Sequence, residues 1–246
     1  MKQHKTNAEL FAEARRALLG HLSIAVWSLL LVTAVTFLLT ELSVSFNFTN
    51  KYLGLTANLA SRFVTTLFAS LFGIGLSSVF LKLLYGQPAT IGSLLTVFFE
   101  NSDNCVRVRF FITAGEFVCL LPLHLFLYIV PTDSLLSYLP VAAGIALVCL
   151  IAYTIWSLTF SMSNYLLLDF PGMDAKKILR ASSNMMRGNR LRLFMLYLRI
   201  LPLHLIGLFS FGIANIWVEC CQQACITAFY KDLMTVRQHS SAMRTY

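Results

Sequence analysis

The sequence predicts an all-α membrane protein, a bundle of about six transmembrane helices. Three observations lead to this fold class. Hydrophobic residues make up 57% of the 246-residue chain and charged residues only 12%, and the mean hydropathy is +0.72, which lies outside the range of soluble domains. The apolar residues also fall in long runs. Finally, the basic residues gather in the gaps between alternate runs.

Six apolar runs are candidates for spans, because a bilayer core of about 30 Å needs about 20 apolar helical residues. They are residues 22–40, 59–81, 110–130, 135–168, 193–212 and 213–230. The fourth run is long enough to tilt, and Pro140 is expected in its first turn. The sixth run is shorter and more polar than the others. We therefore predict one domain over 1–246, with a cytoplasmic amphipathic helix in 1–21, the bundle in 22–230 and a cytoplasmic tail in 231–246.

The basic residues predict the orientation. With six spans and a cytoplasmic N-terminus, nearly all loop Lys and Arg residues lie inside, and only Lys51 falls in an outer loop. The net charge of +8 is therefore a topology signal. It needs no nucleic acid as a partner, because basic residues beside spans interact with anionic lipid headgroups.

Each pair of spans is preceded by a predicted amphipathic helix on the cytoplasmic side. The first is capped by Asn7 and ends at Gly20, the second covers 90–100, and the third runs from Asp174 to Gly188. The tetrapeptide Leu-Pro-Leu-His occurs at 121–124 and again at 201–204. These features predict three hairpin modules, each with an interfacial helix.

Glu116 and Arg199 are charged groups at the same predicted depth in the bilayer. Each lies seven residues beyond a basic residue, Arg109 or Arg192, at the inner end of its span. Charges at bilayer depth are costly unless they are paired, so an ion pair between Glu116 and Arg199 is expected. Such a pair either fixes the register of two helices or forms a titrating site.

Glu219 belongs to a polar stripe on the last run, together with Asn215, Gln222 and Gln223. His204 is predicted to lie at a similar depth, where a His–carboxylate contact is able to move a proton near neutral pH. The alternative for His204, and for His124, is donation to a backbone carbonyl, such as one freed by the nearby proline.

The candidate ligand-binding residues are therefore the polar groups inside the predicted spans, Glu116, His124, Arg199, His204 and Glu219. Any ligand path is expected near His204 and Glu219. The second span is expected to pack too tightly for one, because Gly73, Gly75, Ser77 and Ser78 favour close helix contact. Tyr153 lies on a polar face of the fourth run that is suited to line a cavity.

Motifs that carry catalysis are absent from the sequence, including nucleotide-binding glycine loops, a zinc-protease helix and paired Cys-x-x-Cys. The six cysteines have no regular spacing, and Cys221 with Cys225 is weak evidence for a metal site. We expect no catalytic residues, no metal and no cofactor.

The second half of the chain contains a characteristic set of residues: the stretch 168–182, then 186–189, Leu193, Phe194, Gly212, Ile213, Trp217 and 228–230. By these residues, and by 86–99, the chain resembles a family of uncharacterised bacterial integral membrane proteins, domain of unknown function 975. Members end the last span in a Phe-Tyr pair, matched by Phe229 and Tyr230. The resemblance implies six spans and bacterial origin, and it implies no known reaction. Together with the orientation that the basic residues predict, it leads us to expect a multi-pass protein of the bacterial plasma membrane with both termini cytoplasmic.

Three hypotheses for function follow. The first is a non-enzymatic protein that binds, transports or senses a membrane-associated or small polar ligand. The second is a structural or accessory subunit of a membrane complex such as an exporter, which requires a membrane protein partner. The third, an intramembrane enzyme acting on lipid, ranks last because the sequence has no catalytic motif.

Overall fold

A computed structural model describes residues 5–41, 51–95, 102–130, 138–210 and 212–242. Within these ranges the regular structure is helical and contains no strand. The helices are α1 (Asn7–Leu18), α2 (Leu22–Glu41), α3 (Lys51–Leu84), α4 (Ser102–Ile129), α5 (Leu139–Phe160), α6 (Ser163–Asp169), α7 (Ala175–Met186), α8 (Arg190–Phe209) and α9 (Ile213–Ala242). The predicted all-α fold is confirmed.

Four segments of the described chain are long and apolar enough to cross a membrane. They are Leu22–Glu41, Tyr52–Leu84, Ser102–Ile129 and Leu139–Asp169, and they correspond to the first four predicted spans. The fifth and sixth runs form α8 and α9, which pack against each other after a turn in which Gly212 has φ +84°. The six-span count and the three hairpin modules stay predictions.

Helix α3 is the centre of the bundle. It packs against α2 and α4, its neighbours in the chain, and also against α1, α6 and α9. In its second half, Gly75 lies so close to the Leu94 carbonyl that a Cβ atom would overlap it. This half of α3 is tightly packed, as the small residues predict.

The first amphipathic helix forms as predicted, with Leu10, Ala14 and Leu18 buried. Its N-cap is Thr6 rather than Asn7. Thr6 has an extended backbone, and its side chain accepts from Glu9 N–H while the Glu9 carboxylate accepts from Thr6 N–H. This reciprocal capping box satisfies two free donors, which a cap at Asn7 would not do.

The third amphipathic helix, α7, is also confirmed. Asp174 is its N-cap, Ile178, Ser182, Met185 and Met186 are buried, and Gly188 follows with φ +86°. The second predicted helix, 90–100, is described only up to residue 95, and 96–100 lie outside the described residues.

The fourth run begins outside the described residues, at 135–137. From Leu139 it is helical, with Pro140 in the first turn as predicted. The helix is interrupted at Ser161 and Met162, so that the run continues as the separate helix α6.

A buried ion pair joins α8 to α9. Arg192 Nη2 donates to Asp232 Oδ2 at 2.7 Å, and the Asp232 side chain is only 3% exposed. Lys5, at the start of the described chain, donates its backbone N–H to Asp232 Oδ1 at 3.2 Å, and its carbonyl accepts from Arg192. The Arg192 guanidinium also lies over the Phe229 ring, 4.9 Å from its centroid. Lys5, α8 and α9 are thereby held together.

Glu13 adds a second, more exposed set of contacts at the same place. Its carboxylate pairs with Lys5 Nζ at 2.5 Å and with Lys231 Nζ at 3.1 Å. Burial raises the pKa of Glu13, but the hydrogen bonds and charges of the two lysines outweigh burial and hold the pKa below its ordinary value. Glu13 therefore carries its charge at neutral pH and holds α1 on α9.

Tyr230, the second residue of the Phe-Tyr pair, fixes α9 to α6. Its side chain is fully buried, and its hydroxyl donates to Asp169 Oδ2 at 2.5 Å. Its ring stacks on Tyr165 with 5.1 Å between centroids, and the Tyr165 hydroxyl is hydrogen-bonded to Thr227 at 3.2 Å. Residues that carry the family resemblance thus meet in the interior.

We expect Asp232→Asn to lower the free energy of unfolding by about 3–5 kcal/mol, because it leaves the Arg192 charge uncompensated in a buried site. Thermal unfolding of the detergent-purified protein measures the loss. The matched control is Asp174→Asn, which removes an exposed ion pair with Lys177 of 3.8 Å and is expected to change stability by less than about 1 kcal/mol. Equal stability of the two variants would contradict this account of Asp232.

Candidate functional site

A polar cavity of about 390 Å³ lies between α2, α3, α4 and α5. Helix α3 contributes Arg62, Thr65 and Thr66, and α4 contributes Thr113, Glu116 and His124. The remaining wall consists of Thr40, Phe117, Leu120 and Tyr153. The cavity reaches Thr40, one residue before the end of α2, and all four helices that form it are among those long enough to cross a membrane.

Glu116 lies in the middle of α4, about 21 Å along the helix axis from Ser102. It faces the cavity and has no ion pair at contact distance among the described residues, although Arg109 attracts it from two turns away on the same helix. Arg109 itself lies against α3, where its Nη2 would be 3.2 Å from a Cβ atom at Gly73. The absence of a side chain at Gly73 thus makes room for the guanidinium.

The two histidines of the repeated tetrapeptide make the same local contact. His124 Nδ1 lies 3.0 Å from the Leu120 carbonyl, and His204 Nδ1 lies 3.4 Å from the Ile200 carbonyl, in each case four residues earlier. The carbonyl alternative is therefore confirmed for both, but the proline does not supply the acceptor. Pro202 has no N–H to donate to the carbonyl of Leu198, four residues earlier in the helix. The His204 imidazole contacts a different carbonyl, that of Ile200, two residues further along.

His124 differs from His204 in its surroundings. Its ring stacks on Phe117, with 6.1 Å between centroids and 16° between planes, and it lines the cavity. Phe117 in turn packs edge-on against Phe63 of α3 at 5.6 Å. The stack holds the imidazole at the cavity wall.

The wall formed by α4 and α5 is set by a close contact at Gly115. The Trp156 indole lies where a Cβ atom of residue 115 would be, and its Nε1 donates to the Ile112 carbonyl at 3.1 Å. Phe160 packs on the same indole with 4.8 Å between centroids. This contact holds α4 against α5 at the residue next to Glu116.

The predicted ion pair between Glu116 and Arg199 is wrong. Arg199 lies over the ring of Phe11 in α1, 5.8 Å from its centroid, and no ion pair joins it to Glu116 in the part of the chain that the structure describes. Equal depth placed the two charges at similar heights, but the Arg199 guanidinium is directed toward Phe11 of α1.

The five predicted binding residues thus separate into two groups. Glu116 and His124 meet at the cavity. Arg199 faces α1, while His204 lies on α8 and Glu219 on α9. These two helices approach closely at Gly207, where the Asn215 side chain occupies the space that a Cβ atom would fill.

Sequence reasoning missed Arg62, Thr65 and Thr66, and it correctly placed Tyr153 on a cavity-lining face. The expectation that the second span leaves no room for a ligand path is wrong for the first half of α3, because Arg62, Thr65 and Thr66 line the cavity. The spacing 62, 65 and 66 puts these three side chains on one face of a helix, and this spacing is the sequence signal from which they could have been predicted.

In the described ranges no group of three or more His, Cys, Asp or Glu residues is close enough to hold a metal ion.

One family matches the chain, over residues 1–237, and its description is "Protein of unknown function (DUF975)". No curated protein and no solved structure matches. The match covers the nine helices of the described ranges up to the last turns of α9, so the cavity and the contacts of Lys5 with Arg192 and Asp232 both lie within the matched region.

We expect Gly115→Ala to destabilise the protein by about 1–3 kcal/mol, since the added methyl group must displace an indole that is held by a hydrogen bond. Gly144→Ala is the matched control, because no atom lies within 4 Å of a Cβ at that position of α5. Thermal unfolding compares the two. A Gly115→Ala variant as stable as Gly144→Ala would show that the indole moves freely.

Proposed function

The chain belongs to the DUF975 family, and we propose that it is a non-enzymatic, multi-pass membrane protein that binds a small polar ligand in the cavity between α2 and α5. The single observation that carries the proposal is the polar cavity itself. It places Arg62, Glu116 and His124 among helices that are otherwise apolar.

The proposed topology has six spans, both termini in the cytoplasm, and a bacterial plasma membrane as its location. Four helices of suitable length and composition support the membrane location. Helix α8 has 20 residues and is therefore about 30 Å long, which matches the bilayer core, and α9 returns antiparallel to it. The concentration of basic residues in alternate loops supports the orientation.

The lining of the cavity indicates the class of ligand. Arg62 supplies a fixed positive charge, Glu116 a carboxylate, and Thr65, Thr66 and Tyr153 supply hydroxyl groups. Unpaired charges at bilayer depth are costly, so a ligand that compensates both signs is favoured. A volume of about 390 Å³ lies within the range of small-molecule sites. We therefore propose a small zwitterion, bound and then transported or sensed.

The second candidate is an accessory subunit of a membrane complex such as an exporter. One observation favours it, a mainly apolar groove of about 520 Å³ between α4 and α7, lined by Val106, Phe110, Phe111, Ala175 and Leu179. A membrane protein that co-purifies stoichiometrically, together with a cavity that binds no ligand, would favour this candidate over the first.

The topology predicts that reporter fusions after Lys82, after Arg180 and at Tyr246 report inside, and that one near Asn50 reports outside. The α8–α9 turn is tested by Phe209→Cys, because this side chain is 90% exposed. We expect a membrane-impermeant maleimide to label it from outside.

Tyr52→Cys is the positive control for that labelling, since Tyr52 lies at the start of α3 and is 78% exposed. If Tyr52→Cys reacts and Phe209→Cys does not, α8 and α9 do not cross the membrane. The six-span topology would then be wrong.

The ligand class is tested by thermal unfolding of the purified protein with four sets of small molecules of similar size: free amino acids, organic cations, organic anions and polyols. We expect the zwitterionic amino acids to stabilise the protein, by about 2.7 kcal/mol at a concentration one hundred times Kd. Glu116→Gln and Arg62→Gln should each abolish the effect, because each removes one of the two charges.

Glu219→Gln is the matched control, since it neutralises another carboxylate of the apolar region that does not line the cavity. It should retain the stabilisation. Stabilisation by uncharged polyols alone, or an effect that survives both cavity variants, would contradict the proposal.

A further inference from the structure

A second concave surface lies outside the cavity, where α1 crosses α9. This surface, called the α1–α9 groove, has a volume of about 690 Å³ and an apolar floor that includes Leu18, Leu22, Trp217 and Cys221. Trp217 is 53% exposed in it. The groove begins at the start of α2, the first candidate span, so it lies at one end of the apolar region.

Two positive charges stand at the edge of the groove. Arg15 and Arg16 both line it and both are exposed, and neither forms an ion pair with any of the described residues. The nearby carboxylate of Glu13 does not neutralise them, because it is bound to Lys5 and Lys231. Arg15 lies close enough to Cys221 for the two side chains to interact electrostatically. The groove thus combines an apolar floor with an unneutralised pair of guanidinium groups.

We propose that the α1–α9 groove binds an anionic phospholipid of the surrounding bilayer. The phosphate lies between Arg15 and Arg16, and one acyl chain follows the floor past Leu22 and Cys221 to Trp217. Guanidinium groups bind phosphate through paired hydrogen bonds, and basic pockets beside spans select anionic headgroups. A zwitterionic phospholipid fits the same floor, but its headgroup brings a positive charge close to the two guanidinium groups, which repel it.

The proposal requires the membrane location and is independent of the cavity. It is tested by fluorescence quenching at Trp217 in phosphatidylcholine vesicles, in which an equal minor fraction of the lipid is replaced by dibrominated phosphatidylglycerol or by dibrominated phosphatidylcholine. A Trp27→Phe background removes a tryptophan that is 63% exposed on α2. The Trp27→Phe/Trp217→Phe variant keeps only Trp156. Subtracting its fluorescence from that of the Trp27→Phe protein gives the fluorescence of Trp217.

We expect phosphatidylglycerol to be preferred at Trp217 on the order of tenfold, because two basic residues act on one headgroup. Arg15→Gln/Arg16→Gln should reduce the preference to about one. Arg180→Gln/Arg187→Gln is the matched control, since it removes the same charge from exposed positions in and after α7 and should leave the preference unchanged. Elution as a single species in size-exclusion chromatography shows that the variants are folded.

Alkylation of Cys221 by N-ethylmaleimide, followed by mass spectrometry of its peptide, gives a second readout. Cys221 is exposed in the groove, so a bound lipid should slow its reaction in phosphatidylglycerol relative to phosphatidylcholine. Equal quenching by the two brominated lipids would overturn the proposal. So would a preference that survives Arg15→Gln/Arg16→Gln, or one that is lost equally in the control variant.

Discussion

The arrangement of the C-terminal half depends on a carboxylate that is almost completely removed from solvent. A side chain such as Asp232, 3% exposed, is stable in its charged form only when its oxygen atoms are satisfied. The Arg192 guanidinium satisfies one oxygen and the Lys5 backbone N–H the other, so three distant parts of the chain must meet at this point. Because Lys5 directly precedes the Thr6 cap, the same contact sets the position of α1 on α9 and thereby creates the α1–α9 groove. Two residues before Asp232, Tyr230 reaches Asp169 and fixes α9 to the centre of the bundle.

The cavity exists because the four helices around it approach each other unequally. At Gly115 the indole of Trp156 lies directly on the backbone of α4, and at Gly73 the Arg109 guanidinium lies against α3. Helices that touch at such points cannot also close together where Arg62, Thr65 and Thr66 face Glu116. Close packing on one side of α4 therefore leaves a polar space on the other. The same argument explains why Arg109 does not simply neutralise Glu116, since its guanidinium is held two turns away against α3.

The parts of the fold that depend on local sequence could be predicted. The periodicity of α1 and α7 identified their buried faces, and Gly20 and Gly188 marked the turns after them. The position of an N-cap was less predictable, because Thr6 and Asn7 are both good caps and only the reciprocal contact with Glu9 decides between them.

The neighbours of a helix were not predictable from the depth of its residues in the bilayer. Counting residues from Arg109 and Arg192 places Glu116 and Arg199 at one height, but it says nothing about rotation about the helix axis, and Arg199 faces Phe11 instead. The threonines of α3 could have been found from their spacing alone, without any knowledge of their partners.

The contact between α1 and α9 also determines an order of events during folding. Lys5 and Asp232 are separated by 227 residues, so α1 reaches its contacts with α3 first and completes its packing only when α9 has been synthesised. Contacts between such distant residues form late, after the loops between them have closed. Until then the apolar face of α1, with Leu10, Ala14 and Leu18, is not covered by α9. Docking of α1 on α9 is therefore a late step of folding, and it depends on an element at the far end of the described chain.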